Sequence, residues 1–163
     1  MAQEQLRDGG YEALSVAGVA RRLELAPNAV YWYFPSKDHL FVGSLQRLLE
    51  DIVARKPRHS KSPTERILWF VDEFAALSEL QGAMTERARA SAVVRDFVSS
   101  FDEVLHRMLS NAFRDHISET ELPLAIASFR ATTEGTFAQG LSQKERRRVL
   151  RFALDRLTER RLT

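Results

Sequence analysis

Residues 10–40 decide the fold of this chain and read GYEALSVAGVARRLELAPNAVYWYFPSKDHL. Ser15 is a typical N-cap residue at the start of an apolar pattern, which predicts a helix over Val16–Leu23. Pro27 suits the first position of the next helix, because its missing N–H needs no partner there, and Pro35 ends that helix. The stretch therefore predicts two short helices joined by a tight turn.

The rest of the chain also has helical periodicity, with no sustained period-2 alternation and no Asn-Gly or Asp-Gly hairpin turn. A short first segment, Ala2–Arg7, precedes two glycines, and the basic stretch Arg55–Pro63 is the best linker candidate. The last two helices are predicted over about Glu121–Gln139 and Ser142–Arg160, and a break is expected around Gly82. We predict an all-α fold of about nine helices.

Composition excludes several classes of protein. Hydrophobic residues make up 44% of the chain, enough for a sizeable core, and the absence of cysteine excludes disulfides, thiolate metal sites and cysteine nucleophiles. No apolar run approaches the ~20 residues of a membrane span. The first ten residues, MAQEQLRDGG, lack the basic and apolar regions of a secretory signal. We expect a soluble, cytoplasmic protein with no membrane partner.

Catalytic motifs are also missing from the sequence. It contains no glycine-rich phosphate loop and no G-x-S-x-G nucleophile elbow. The histidines show no metal-ligand spacing; they are His39, His59, His106 and His116. We therefore expect no enzyme, no catalytic residue, no metal and no cofactor.

The second of the two short helices has the pattern of a helix that reads DNA. Val30 and Phe34 face the core at i and i+4, which turns the aromatic run Tyr31–Tyr33 outward. Tyrosine hydroxyls and the indole N–H can donate to phosphate oxygens, and Asn28 could pair with adenine. Lys37 would meet a phosphate from the next helix. A local packing cluster is the alternative for the three aromatic residues, and a solvated or phosphate-touching role is the alternative for Asn28.

Residues Gly10–Leu40 resemble the DNA-binding domain of the tetracycline-repressor (TetR) family of transcriptional regulators. The most specific part is VYWYFPSKDHL, which is similar to the family's segment of hydrophobic-Tyr-x-aromatic-Phe-x-Ser/Asn-Lys-x-x-Leu. The resemblance implies a helix-turn-helix DNA-binding head over residues 1–42 and a helical effector-binding and dimerisation body over residues 43–163. Carried over by position, the DNA-binding residues are Ser15, Asn28, Ala29, Tyr31, Trp32, Tyr33 and Lys37. Ser15 is expected to be a helix cap first and a phosphate contact second.

The resemblance also implies how such a regulator works. A homodimer, formed through the last two helices (about residues 121–160), would bind a palindromic double-stranded DNA operator and leave it when a small-molecule effector binds. The effector itself is unknown. Close approach at the dimer interface would use the small residues Ala125, Ser128, Ala131, Thr132, Gly135 and Thr136.

An effector pocket is expected within the helical body, lined largely by aromatic residues and Met. Most of these aromatic residues are also expected to form part of the core. For His106 the alternative to a place in the pocket is an exposed side chain, or one whose hydrogen bonds are made elsewhere in the protein. The candidate lining residues are Phe70, Phe74, Met84, Arg87, Phe97, Phe101, His106, Met108, Phe113, Phe129, Glu134 and Phe137.

Two departures from the family pattern bear on DNA binding. Glu24 stands where the turn usually has glycine, and a left-handed conformation there would cost roughly 1 kcal/mol. The family's basic N-terminal arm has no counterpart here, and residues 1–51 hold five Lys and Arg against seven Asp and Glu. The alternative function is therefore a helical dimer module that keeps the fold but binds DNA weakly or not at all.

The C-terminal segment is the most basic part of the chain. Residues 142–163 hold eight Lys and Arg against three Asp and Glu, as in a nucleic-acid-binding tail. Apolar residues interleave these charges at helical spacing. We therefore expect the arginines to line the solvated face of a helix, with a nucleic-acid tail as the alternative.

Overall fold

The computed structural model describes residues 2–57 and 62–158, and within these ranges it contains nine α-helices and no strand. This confirms the predicted all-α fold. The predicted linker Arg55–Pro63 includes residues 58–61, which lie outside the described residues, as does the predicted end of the last helix at Arg160. The helices are α1 (Ala2–Ala13), α2 (Val16–Arg22), α3 (Pro27–Tyr33), α4 (Lys37–Ala54), α5 (Pro63–Ser78), α6 (Gln81–Ala90), α7 (Ala92–Phe113), α8 (Leu122–Ala138) and α9 (Gln143–Thr158).

The chain divides into two compact units. The first, here called the head unit, comprises Met1–Lys56 and Glu79–Phe101; the second, the body unit, comprises Pro57–Ser78 and Asp102–Thr163. The head unit thus contains α4 and α6 in addition to the three short N-terminal helices. The predicted functional division between residues 42 and 43 falls inside α4 and stays a prediction.

The head unit is built on the packing of α1 against α4. Helix α4 buries an apolar stripe at helical spacing, which includes Phe41, Leu45 and Ile52, and α1 contributes Leu6. The first helical segment closes at Gly9 and Gly10, as the sequence predicts, because the backbone of both glycines is non-helical and Gly10 has φ +63°; a short second segment follows this kink and ends at Ala13. Glycine adopts this backbone conformation without a steric cost.

The body unit has its own core, formed by α5, the second half of α7, α8 and α9. Helix α9 packs against both α8 and α5. The predicted break around Gly82 lies slightly earlier, because α5 ends at Ser78 and α6 begins at Gln81. None of the described helices is both long and apolar enough to cross a membrane. The buried core residues are Ile67, Leu68, Val71, Leu109, Phe113, Ala125, Ile126, Phe129, Leu150 and Leu154.

Candidate nucleic-acid interface

Hydrogen bonds close both ends of α2, and the one at its C-terminus shapes the turn to α3. Ser15 caps the helix as predicted, since its Oγ accepts the Gly18 N–H at 3.0 Å. At the other end, the Leu25 N–H donates to the Ala20 carbonyl at 3.0 Å, a Schellman-type closure of the helix. This closure places Glu24 in the left-handed region, at φ +55°. Glu24 therefore adopts the conformation for which glycine is usual.

Helix α3 presents its aromatic residues outward. Val30 is buried, whereas Tyr31, Trp32 and Tyr33 are 45%, 77% and 71% exposed. The rings of Trp32 and Tyr33 meet edge to face, with their centroids 4.9 Å apart. Asn28 and Ala29 are also exposed. Such exposure argues against a role of these aromatic side chains in packing the core.

Lys37 is the first residue of α4, and its side chain contacts Glu12 and Tyr11 within the head unit. Ser36 caps the helix, because its Oγ accepts the His39 N–H at 3.3 Å. The Lys37 ammonium lies 3.2 Å from both the carboxylate and the carbonyl oxygen of Glu12, and 4.4 Å from the centroid of the Tyr11 ring. These contacts restrict the positions that the Lys37 side chain can take.

Asp38, the second residue of α4, receives hydrogen bonds from two other helices. The Tyr11 hydroxyl donates to Oδ1 at 2.7 Å, and Arg87 of α6 donates through Nε to Oδ1 at 3.0 Å and through Nη2 to Oδ2 at 2.8 Å. The hydrogen bonds from Arg87 are the main cause that lowers the pKa of Asp38 to about 2. Burial, and then the hydrogen bond to Asp38, raise the pKa of Tyr11 to about 12.

The contacts that Tyr11, Glu12 and Asp38 make around the start of α4 were not predicted from the sequence. All three lie within residues 10–40, so the resemblance of this segment to the family was the only feature of the sequence that pointed to them. Asp38 is also a favourable residue for the first turn of a helix. That local role does not predict its ion pair with Arg87, which lies 49 residues further along the chain.

The predicted pocket residues fall in both units. The head unit contains Met84, Arg87, Phe97 and Phe101, and the rings of Phe97 and Phe101 are stacked with their centroids 6.3 Å apart. The Arg87 guanidinium donates two hydrogen bonds to the Asp38 carboxylate. The other candidates belong to the body unit, and the assignment of a pocket stays a prediction. These are Phe70, Phe74, His106, Met108, Phe113, Phe129, Glu134 and Phe137.

Within the body unit, the candidate pocket residues differ in environment. Phe113 and Phe129 are buried in the core, and their rings meet edge to face. His106 and Glu134 are exposed. Among the described residues, no group of three or more histidines and carboxylates is placed to hold a metal ion.

The prediction that the C-terminal arginines form a solvated face is wrong for part of the run. Arg146 is buried, with its guanidinium 4.5 Å from the centroid of the Phe137 ring. Arg147 forms ion pairs with Asp72 and Glu65 of α5, at 2.5 and 2.9 Å. The packing of α9 against α5 brings these charges together. Because Arg147 is paired with these carboxylates, its charge is less available to bind phosphates, as the alternative of a nucleic-acid tail would require.

Comparison with known proteins extends the likeness seen in the helix-turn-helix. Residues 1–43 match a family model described as bacterial regulatory proteins, tetR family. The HTH-type transcriptional repressor KstR of Rhodococcus jostii (strain RHA1) is 33% identical over 127 residues, which cover 73% of this chain and 58% of the relative. The chain belongs to the TetR family. This TetR-family chain thus spans less than two thirds of the length of that repressor.

Solved structures share the fold of this chain along nearly its whole length. A transcriptional regulator from Rhodococcus sp. Rha1 has a TM-score of 0.75 at 18% identity, covering 96% of this chain and 91% of the other. A regulator from Saccharomonospora viridis, solved in complex with choline, has a TM-score of 0.69 at 15% identity and covers 94% and 91%. At these identities the likeness concerns the fold alone.

Proposed function

We propose that this chain is a DNA-binding transcriptional repressor that binds an operator as a homodimer and leaves it when a small molecule binds. The observation that carries the proposal is the outward face of α3. Val30 is buried behind the helix, whereas Trp32 and Tyr33 are largely exposed, although large aromatic side chains gain most from burial. A surface of this kind is suited to a partner with phosphate acceptors and base edges.

Two kinds of DNA contact follow from the positions of the side chains. The hydroxyls of Tyr31 and Tyr33 and the ammonium of Lys37 would bind phosphate oxygens, which fixes the orientation of the head on the duplex. Asn28 and Ala29, near the start of α3, would face base edges in the major groove, where an asparagine can bind adenine in bidentate fashion. Asn28 would then set sequence preference, and Lys37 would set affinity.

Dimerisation is proposed through α8 and α9, where apolar side chains remain exposed. Leu124 of α8 is 70% exposed and Phe152 of α9 is 63% exposed. Ser128 and Ala131 of α8 are also exposed and small enough for close approach of a second copy. Two residues of the predicted small stripe, Ala125 and Thr136, are instead buried inside the protomer. The interface would therefore use the neighbouring face of α8.

Similar proteins support this reading over the alternative of a helical module without DNA binding. The Rhodococcus jostii relative is named a repressor, and the matched segment of this chain contains both α3 and Lys37. The choline complex of the Saccharomonospora viridis regulator supports a small molecule as the class of effector.

The proposal is tested by measuring the affinity of the chain for a duplex that contains its own promoter region. We expect Lys37→Gln to weaken binding for all sequences, whereas Arg89→Gln, which removes an equal charge from an exposed site on α6, should change it little. Asn28→Ala should alter the preference between promoter and scrambled duplexes. Tyr33→Phe would remove only the phosphate donor. Equal binding of the wild type to promoter and scrambled duplexes would contradict an operator-binding function.

A further inference from the structure

A bidentate ion pair between Arg87 and Asp38 connects α6 to the start of α4. Both oxygens of the Asp38 carboxylate are used, at 3.0 Å to Nε and 2.8 Å to Nη2 of Arg87. This bidentate arrangement fixes the direction of the carboxylate as well as its distance, which a single contact does not. The Asp38 side chain is only 13% exposed, so water competes little for it.

The pair acts on the segment of α4 that carries Lys37. Lys37 and Asp38 are consecutive residues in the first turn of α4, so a fixed Asp38 side chain limits the movement of the Lys37 backbone. Tyr11 strengthens this arrangement, because its hydroxyl binds Asp38 while its ring lies 4.4 Å from the Lys37 ammonium. The same ring packs edge to face on Phe41, one turn further along α4.

We propose that Arg87 is a positioning residue for DNA binding, which holds the first turn of α4 through Asp38 and thereby sets where Lys37 meets a phosphate. The proposal rests on the DNA-binding function proposed above. Arg87 itself needs no contact with DNA in this role. It makes the affinity for DNA depend on α6, a helix outside the helix-turn-helix.

A role in positioning differs from a general effect of charge or of stability. The lysine ammonium is a point charge that cannot reproduce the two parallel hydrogen bonds of a guanidinium, so Arg87→Lys keeps the charge and loses the geometry. If Arg87 acts through Lys37, its loss must have no further effect once the Lys37 ammonium is gone. This non-additivity would not arise from a change in stability alone.

The test is a double-mutant cycle on DNA affinity. Wild type, Arg87→Gln, Lys37→Gln and the double variant are titrated into a fluorescent duplex of mixed sequence, because a phosphate contact needs no operator. Arg87→Lys is measured beside them, and Arg89→Gln on the same helix is the matched loss of charge. The titrations are repeated at several salt concentrations, and circular dichroism establishes that each variant is folded at the assay temperature.

We expect Arg87→Gln to lower affinity by about threefold to tenfold, with a similar loss for Arg87→Lys and a change below about twofold for Arg89→Gln. In the Lys37→Gln background, Arg87→Gln should change nothing further. Lys37→Gln should also reduce the slope of log affinity against log salt by about one. If Arg87→Gln is unfolded, the cycle is completed with Arg87→Lys.

Several results would overturn the role of Arg87. They are additive losses in the double variant, wild-type affinity in Arg87→Lys, or wild-type affinity in Arg87→Gln. A wild type that binds no duplex at low salt would instead overturn the proposed function, and this role with it. The two failures are therefore distinguishable in one series of titrations.

Discussion

Gly43 of α4 lies against the ring of Phe34, so that a Cβ atom at position 43 would come within 2.7 Å of the Phe34 Cε1 atom. Real Cβ contacts are essentially never this short. Phe34 is the C-cap residue that follows α3. The close approach of these two residues therefore fixes α3, with its exposed aromatic face, next to the start of α4.

Replacement of Gly43 by alanine should destabilise the head unit by about 1–3 kcal/mol, because the Phe34 ring must move out of its packed position. Urea unfolding followed by circular dichroism measures the change. Gly82→Ala is the control, since no atom lies within 4 Å of a Cβ there and alanine favours a helix by up to about 1 kcal/mol. Equal effects of the two substitutions would show that Gly43 has no packing role.

Glu24 should tolerate replacement by glycine but not by valine. A non-glycine residue in the left-handed region costs roughly 1–2 kcal/mol, and a β-branched side chain is less tolerated there. Glycine removes this cost but loses more chain entropy on folding, so Glu24→Gly should leave the free energy of unfolding equal or higher by up to about 1 kcal/mol. Glu24→Val should lower it by a similar amount. Chemical denaturation compares the three, and a valine variant as stable as the wild type would contradict the strained turn.

The pKa of Asp38 predicts a loss of stability in acid. Its pKa is about 2 in the folded chain against an ordinary value of 3.8, mainly because Arg87 hydrogen-bonds the charged form. The ion pair therefore stabilises the fold fully above about pH 4, and this contribution, on the order of 2 kcal/mol, is lost as the pH falls from about 4 to 2.

Other carboxylates also titrate in this range, so the measurement compares the wild type with Asp38→Asn. The variant lacks the pair at every pH, and its stability should fall less between pH 6 and pH 3 than that of the wild type. Urea unfolding at the two pH values gives both differences. A drop of equal size in the two proteins would show that Asp38 is not the group responsible.

Local signals in the sequence were sufficient for the helix-turn-helix. Ser15 and Ser36 cap their helices and Pro27 starts α3, because each of these effects depends on neighbours within a few residues. The outward direction of Trp32 followed from the spacing of Val30 and Phe34 for the same reason. Helical periodicity likewise located α8 and α9 to within a few residues.

Interactions between distant segments could not be predicted in this way. Arg87 was predicted to be a polar residue of the effector pocket, and only the folded chain brings it to Asp38. Arg146 looked solvated because charge patterning does not show which face of α9 meets α5. Its burial over Phe137 depends on packing between helices, on which a single sequence gives no information.

The ion pairs between α9 and α5 should contribute to the stability of the body unit. Asp72 is largely buried and depends mainly on Arg147, with the Arg146 Nη2 atom farther away at 3.8 Å. Arg147→Ala would leave this carboxylate poorly compensated, and we expect a loss on the order of 2–3 kcal/mol. Arg148→Ala, at an exposed neighbouring site, should change stability by less than about 0.5 kcal/mol. Equal stabilities in thermal and urea unfolding would mean that the pairs contribute nothing.

The proposed dimer predicts that one substitution on α9 separates the protomers. Light scattering after size exclusion should give the wild type twice the chain mass of 18.6 kDa, and Phe152→Asp should give the single mass. A charge at this exposed aromatic position would be costly to bury against a second copy. Val104→Asp alters an apolar residue of α7 in the same unit that is 50% exposed, and this variant should stay dimeric.

Loss of the dimer should also lower the affinity for an operator with two half-sites. A monomer presents one α3 to one half-site, so Phe152→Asp should lose the gain that comes from binding two linked half-sites, which is of order a hundredfold or more. Its affinity for an isolated half-site should stay that of the wild-type head, because Phe152 lies in the body unit. If Phe152→Asp remained a dimer while Val104→Asp became a monomer, the interface would instead involve α7.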